Sequence, residues 1–215
     1  GFMRYKENSG ELEARRVQAL ETAFHMFAQS SIEAVNMADI ARASGMGMAT
    51  LYRYFSVKRR LVIELGTLKW RQYAHDVEQR RQAANGDGMT AIDEFGFYLD
   101  CYVDLLDHQP DLLRFNANFD QYIRHEKAPV EELRDYYDSV GYFAAAFDRI
   151  YARAQTDHTL RLDVPKKEMF FSSLYALLAI AQKYAAGLIY LPDNSFDCRH
   201  ALVTQRDLLL GWVRA

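Results

Sequence analysis

Apolar residues recur along most of this chain at intervals of three and four, which gathers them on one face of an α-helix. No stretch alternates in the manner of a half-buried strand. The pattern predicts an all-α fold of about nine helices, near residues 11–30, 37–44, 48–54, 58–84, 89–108, 110–124, 129–154, 166–190 and 197–213. Proline placement marks several of the boundaries. Pro110, Pro129 and Pro165 each open a run of helix formers (PDLLRF, PVEELR, PKKEMF), where a first-turn proline forfeits no hydrogen bond, whereas Pro192 follows a helix and stops it. Asn85-Gly86-Asp87-Gly88 supplies a further break.

The first three elements are short enough to form a small unit of their own. In the first, Val17, Leu20, Ala23, Phe24 and Phe27 make an apolar stripe, and Arg15, Arg16 and Glu21 are left for solvent or DNA. The second opens on Asn36 as N-cap with Asp39 three residues in, where a carboxylate favours the positive helix end. From Met37 to Phe55 the order is Ala41, three residues, Gly45, five residues, Leu51. That spacing suits a helix-turn-helix: a small residue where two helices cross, a glycine able to take positive φ in the turn, and an apolar anchor under the second helix. Ile40, Met46, Leu51 and Phe55 are the expected small core, with Thr50, Tyr52, Arg53 and Tyr54 available outside it.

Composition adds limits. Half of the 215 residues are hydrophobic and 26% charged, with four prolines and 11 glycines, so the chain reads as globular rather than disordered or fibrous. The net charge of −3 gives no overall reason to expect nucleic acid, but it is unevenly spread. Residues 1–60 carry nine Lys/Arg against six Asp/Glu, and the remainder carries 17 against 23. Cys101 and Cys198 stand alone, without metal-finger spacing or a disulfide framework, which suggests a reducing, cytoplasmic setting. No signal-peptide pattern is visible, and Gly1-Phe2 ahead of Met3 reads as a cloning remnant. The apolar stretch Met169–Leu191 approaches membrane-span length but contains Ser172-Ser173 and Gln182-Lys183. A helix buried on nearly all faces, in a core or subunit interface, is the preferred reading.

The run TLYRYF (Thr50–Phe55) followed by Lys58 and a long helix resembles the TetR family of bacterial transcription regulators, and the resemblance is specific over residues 11–65. It implies a disordered arm over residues 1–10, a helix-turn-helix DNA-binding domain over 11–65, and a larger helical domain over 66–215 that binds a ligand and dimerises. By position, Thr50 and Arg53 would face base edges in the major groove, with Arg53 able to meet guanine bidentately. Tyr52, Tyr54 and Lys58 would hold phosphates, although Tyr52 has an alternative reading as core beneath the helix. Met48 and Ala49 would offer apolar contacts near bases. Gly47 departs from the family's usual capping Ser or Thr, and Ser30-Ser31 replaces its usual glycine. Losing the cap hydroxyl to glycine costs only a few tenths of a kcal/mol.

The larger domain is rich in aromatics, most of them plain core on a first reading. Tyr98, Tyr102, Phe115, Asn116, Phe119, Tyr122, Phe143, Phe147 and Tyr175 are the candidate ligand-pocket residues, with Asn118, Gln121 and Gln182 as further polar groups, for a small amphipathic or aromatic effector among the helices. Leu174, Leu177, Leu178, Ile180 and Ala181, with Leu202, Leu208, Leu209 and Trp212, suit a homodimer interface through the last two long helices. Two recognition helices would then meet successive grooves of a palindromic operator roughly 34–36 Å apart. Asp104, Asp107 and His108 have a spacing compatible with an ion but read more simply as a solvated helix end. No metal or cofactor is expected, and no catalytic motif is present. The resulting expectation is a repressor released from operator DNA by its ligand. A TetR-type activator, or a cytosolic ligand-binding helical protein that has lost DNA binding, is the alternative.

Overall fold

The computed structural model describes residues 2–189 and 195–215. Its helices are α1 (Phe2–Gln29), α2 (Met37–Ala43), α3 (Met48–Phe55), α4 (Lys58–Ala83), α5 (Ala91–His108), α6 (Pro110–Glu126), α7 (Arg134–Asp157), α8 (Lys166–Phe170), α9 (Ala176–Ala186) and α10 (Cys198–Val213). A π turn, Phe171–Tyr175, joins α8 to α9 without interrupting the helical backbone, so the two form one rod. The described residues therefore form nine rods and no strand; Leu160 and Arg214 share one isolated antiparallel bridge.

Several boundaries differ from expectation for local reasons. α1 is helical from Phe2, so residues 2–10 continue it instead of standing apart as an arm; the weak helix formers Asn8-Ser9-Gly10 are a short run between stronger ones. α5 starts at Ala91 because the Thr90 side chain accepts from the Asp93 amide, after a 3₁₀ turn at Gly86–Gly88. α7 is preceded by a 3₁₀ turn at Val130–Leu133 and ends before His158, which takes φ 57°. The rod containing α9 stops at Ala186, ahead of Gly187 at φ 97°. Pro192, expected to stop it, lies outside the described residues.

α4 runs through the molecule and packs on α1, α6 and α7, while α5 is flanked by α7, α9 and α10. Phe95, Tyr98, Phe115, Phe119 and Phe147 are fully buried where these rods meet. α4 and α6 approach so closely that a Cβ on Gly66 would lie 2.7 Å from Phe119 Cε2. At the far end of α4 the fully buried Glu94 accepts from Arg81 (2.6 Å), Arg149 (2.8 Å) and Arg153 (2.6 Å), and Arg81 also reaches Asp87. Burying a carboxylate is costly unless it is paired in this way.

Of the charges expected to face solvent or DNA on α1, Arg15 is exposed, whereas Arg16 and Glu21 tie the helix to α4. Arg16 pairs with Glu64 and lies over the Phe55 ring, and Glu21 accepts from Lys69 at 2.7 Å. The rod 166–186 is buried on one side only. Met169, Ser173, Leu177 and Ala181 face inward, whereas Phe171 and Tyr175 are exposed. The expected interface leucines divide likewise: Leu174, Leu177, Leu202 and Leu209, with Ala181, fill this chain's own core, and Leu208 points outward. A helical stripe one residue wide on paper has two sides once a neighbouring rod covers part of it. No helix among the described residues is long and apolar enough to cross a membrane.

Candidate functional site

The front unit is built as its spacing requires. Asn36 caps α2 by accepting from the Asp39 amide, and the Asp39 carboxylate accepts in return from the Asn36 amide, a reciprocal capping box. Ala41 is buried at the crossing, Gly45 takes φ 65° in the turn, and Leu51 is fully buried under α3. Ile40, Met46 and Phe55 complete that core. Gly47 opens α3 in extended conformation with no side-chain cap.

α3 thereby presents a defined outer face. Met48, Ala49, Tyr52 and Arg53 are exposed and Thr50 is half-buried. Thr50 and Arg53 lie one turn apart, with the guanidinium 3.5 Å from the Thr50 hydroxyl. The alternative reading of Tyr52 as core fails, since its ring is 43% exposed. Tyr54 behaves in the opposite way to expectation: its ring packs edge-on against Phe55 and its hydroxyl is enclosed without a partner. Position 54 lies one helical turn from buried Leu51 and beside Phe55, which turns it inward.

Lys58, expected to hold a phosphate, is half-buried at the start of α4. Its ammonium lies 5.6 Å from the Tyr122 ring centre and 6.0 Å from that of Phe27. Burial lowers its pKa below the ordinary lysine value, opposed by the carboxylates of Glu33 and Glu126. Lys58 thus bridges the front unit to α6. Beside it, Arg59 makes a bidentate pair with Glu132 at 2.8 and 2.9 Å, a second link from the head of α4 to the larger unit.

Behind these links a cavity of about 330 Å³ opens between α4, α5, α6, α7 and the rod 166–186. Of the expected pocket residues it brings together Tyr102, Asn116, Phe143 and Tyr175, and Gln182 joins them. The other five lie elsewhere. Tyr98 hydrogen-bonds Tyr142 near the Glu94 cluster, and Phe115 packs on Phe24 and Phe27. Phe119 covers Gly66, Tyr122 faces Lys58, and Phe147 packs on Phe95. Sequence reasoning missed Trp70, Asp120, Tyr136 and Phe171, which line the same space. Asp120 carried a readable signal, since it falls one turn after Asn116 on the same helix face. Asn116 is 4% exposed, and neither its amide oxygen nor its nitrogen has a partner. The acidic pair on α5 is engaged otherwise: Asp104 accepts from Arg80, Asp107 from Arg199, and His108 Nδ1 lies 3.1 Å from the Asp104 carbonyl.

Residues 19–65 match the family model described as bacterial regulatory proteins, tetR family. The likeness to the tetR family in sequence lies in this region. The match takes in the stripe of α1, all of α2 and α3, and the head of α4. Over 64 residues the chain is 38% identical to the HTH-type transcriptional repressor KstR2 of Mycobacterium tuberculosis. That stretch covers 29% of this chain and 32% of the relative, so the chain matches about a third of the curated relative's length. Likeness of fold extends over the whole molecule. FadR of Bacillus subtilis, solved in complex with stearoyl-CoA, superposes with a TM-score of 0.69 at 14% identity, covering 92% of this chain and 98% of that one. A putative TetR-family regulator from Vibrio parahaemolyticus gives 0.63 at 21% identity over 94% and 99%. At these identities the likeness is one of fold.

Proposed function

We propose that this chain is a DNA-binding transcription regulator, a repressor that holds a palindromic operator as a homodimer and leaves it when a small effector binds. The observation that carries this reading is the outer face of α3, with Tyr52 and Arg53 exposed and Thr50 half-buried beside them, in the region that matches the tetR-family model. Thr50 and Arg53 read base edges, Met48 and Ala49 supply apolar contact, and Tyr52 holds a phosphate. Tyr54 and Lys58 keep α3 and α4 in place. The DNA-binding unit is residues 11–65 and the sensing and dimerising unit 66–215, with α4 crossing that boundary as one helix.

The exposed apolar side chains of the last two rods, Phe171, Tyr175 and Leu208 among them, support a dimer formed through that face. The effector occupies the cavity among α4 to α9, and the protein acts in the cytoplasm as a regulator, not as an enzyme. The named relative is a repressor, which favours repression over activation.

Fluorescence anisotropy with DNA from the gene's own upstream region, across a salt series, tests the reading. Phosphate contacts require affinity to fall steeply as salt rises. Arg53→Ala should relax preference at one base position, and Tyr52→Phe should weaken all sequences alike. A folded dimer that binds no upstream DNA, with no salt slope, would overturn it.

A further inference from the structure

The cavity has a charge character that an apolar pocket does not need. Among the described residues lining it, Asp120 is the only one with a formal charge. Its carboxylate makes no hydrogen bond or ion pair with any described residue, and the charge of Arg124, one turn further along α6, acts on it through space. The walls around it are aromatic: Trp70, Tyr136, Phe143, Phe171 and Tyr175. Deeper on the same helix face, Asn116 turns an unpartnered amide, both donor and acceptor, toward this space.

Resting on the reading of this cavity as the effector site, we infer that it takes an organic cation: an ammonium head opposite Asp120, enclosed by rings, on a body with one neutral polar group for Asn116. The negative faces of aromatic rings attract a cation, and that attraction grows as water is excluded. The carboxylate supplies the full counter-charge. Asp120 is itself exposed at the edge of the cavity, and an anionic ligand would set like charges together there as it displaced the water between them. A purely apolar ligand would strip water from Asp120 and return nothing for it. Burial already raises the Asp120 pKa above the ordinary aspartate value, against the opposing charge of Arg124.

The test uses three shape-matched probes on the full chain: 1-naphthylmethyl-trimethylammonium, its neutral carbon isostere carrying a neopentyl group, and 1-naphthylacetate. Calorimetry should find the cation bound about tenfold or more tighter than the isostere, with the acid weakest. Asp120→Asn, nearly isosteric, should remove about tenfold or more from the cation while leaving the isostere within about twofold. Equal binding of acid and cation, no binding by any probe, or a cation affinity unmoved by Asp120→Asn overturns the inference. Ala144→Phe separates this from the site itself. Ala144 is exposed on the cavity wall, so the larger ring fills the space with little disturbance of the core. If that variant abolishes probe binding while Asp120→Asn has no effect, the cavity stands as the effector site and the cation is wrong. If the variant binds every probe normally, the cavity is not the site and both readings fall.

Discussion

Replacing Glu94 with alanine isolates the least replaceable polar group of the larger unit. Its carboxylate is wholly buried and accepts from three guanidinium groups, whose side-chain exposures differ: 6% for Arg81, 22% for Arg153 and 41% for Arg149. The Arg149 contact is screened by water and is worth little. The two remaining are charge-assisted bonds, each worth about 1.5–3 kcal/mol. Their sum agrees with the roughly 3–5 kcal/mol lost when one partner of a buried ion pair is removed and the other stays. In a chain of this size 1 kcal/mol moves Tm by about 2–4 °C, so Glu94→Ala should melt about 6–20 °C lower in differential scanning calorimetry. Removing Arg81 as well, as in Glu94→Leu with Arg81→Met, should recover part of that loss, since without Glu94 the buried Arg81 keeps only Asp87 and Glu78 as partners. A single variant within about 2 °C of the parent would refute the argument, as would a double variant that melts lower than the single one.

The turn between α2 and α3 offers a purely conformational test. A Cβ on Gly45 meets nothing within 4 Å, so Gly45→Ala should lose about 1 kcal/mol from its φ of 65° alone, read as a Tm lower by about 2–4 °C. Gly66→Ala has ordinary helical backbone but drives a methyl into Phe119, and should cost about 1–3 kcal/mol in urea unfolding; pairing it with Phe119→Leu should relieve most of this. The Arg59 hydrogen bonds hold the Glu132 carboxyl below the ordinary glutamate value of 4.5. A depressed carboxylate stabilises the fold above its unfolded pKa, and that contribution disappears as pH falls through the folded value. Acid titration of Tm should therefore show a loss below about pH 4.5 that is smaller in Glu132→Gln. Cys101 is buried, with its thiol pushed up to about 12 by burial, so it should resist alkylation at neutral pH until the chain unfolds, while the less buried Cys198 reacts first.

The elements that local chemistry decides were readable in the sequence. Asn36 with Asp39, Ala41, Gly45 and Leu51 act over a few residues, and the structure places them as their spacing requires. Side chains whose fate depends on a distant partner were not readable. Arg16 and Glu21 looked free until α4 supplied Glu64 and Lys69. The ring of Tyr122 beside Lys58 likewise comes from a distant helix, α6. Tyr52 and Tyr54, two residues apart, exchange outer and inner positions on a rotation that sequence spacing alone does not fix. The cavity shows the same limit. Four of nine expected residues line it, because an aromatic on a helix can serve either the core or the pocket until the neighbouring rods are set. The π turn at Phe171–Tyr175 shifts the helical register there, and no sequence motif announced it.

The contact between Gly66 and Phe119 divides α4 unequally. Gly66 lies eight positions from Lys58, next to α3, and four positions from Trp70 in the cavity wall. At 1.5 Å per residue these arms are about 12 and 6 Å long. If the glycine is the fulcrum, a push on Trp70 reappears at the head of α4 doubled and reversed in direction. A sub-ångström adjustment in the cavity wall would then be geared up before it reaches the head of α4, and a bulkier residue at position 66 would shift the pivot and change the gearing without touching either end.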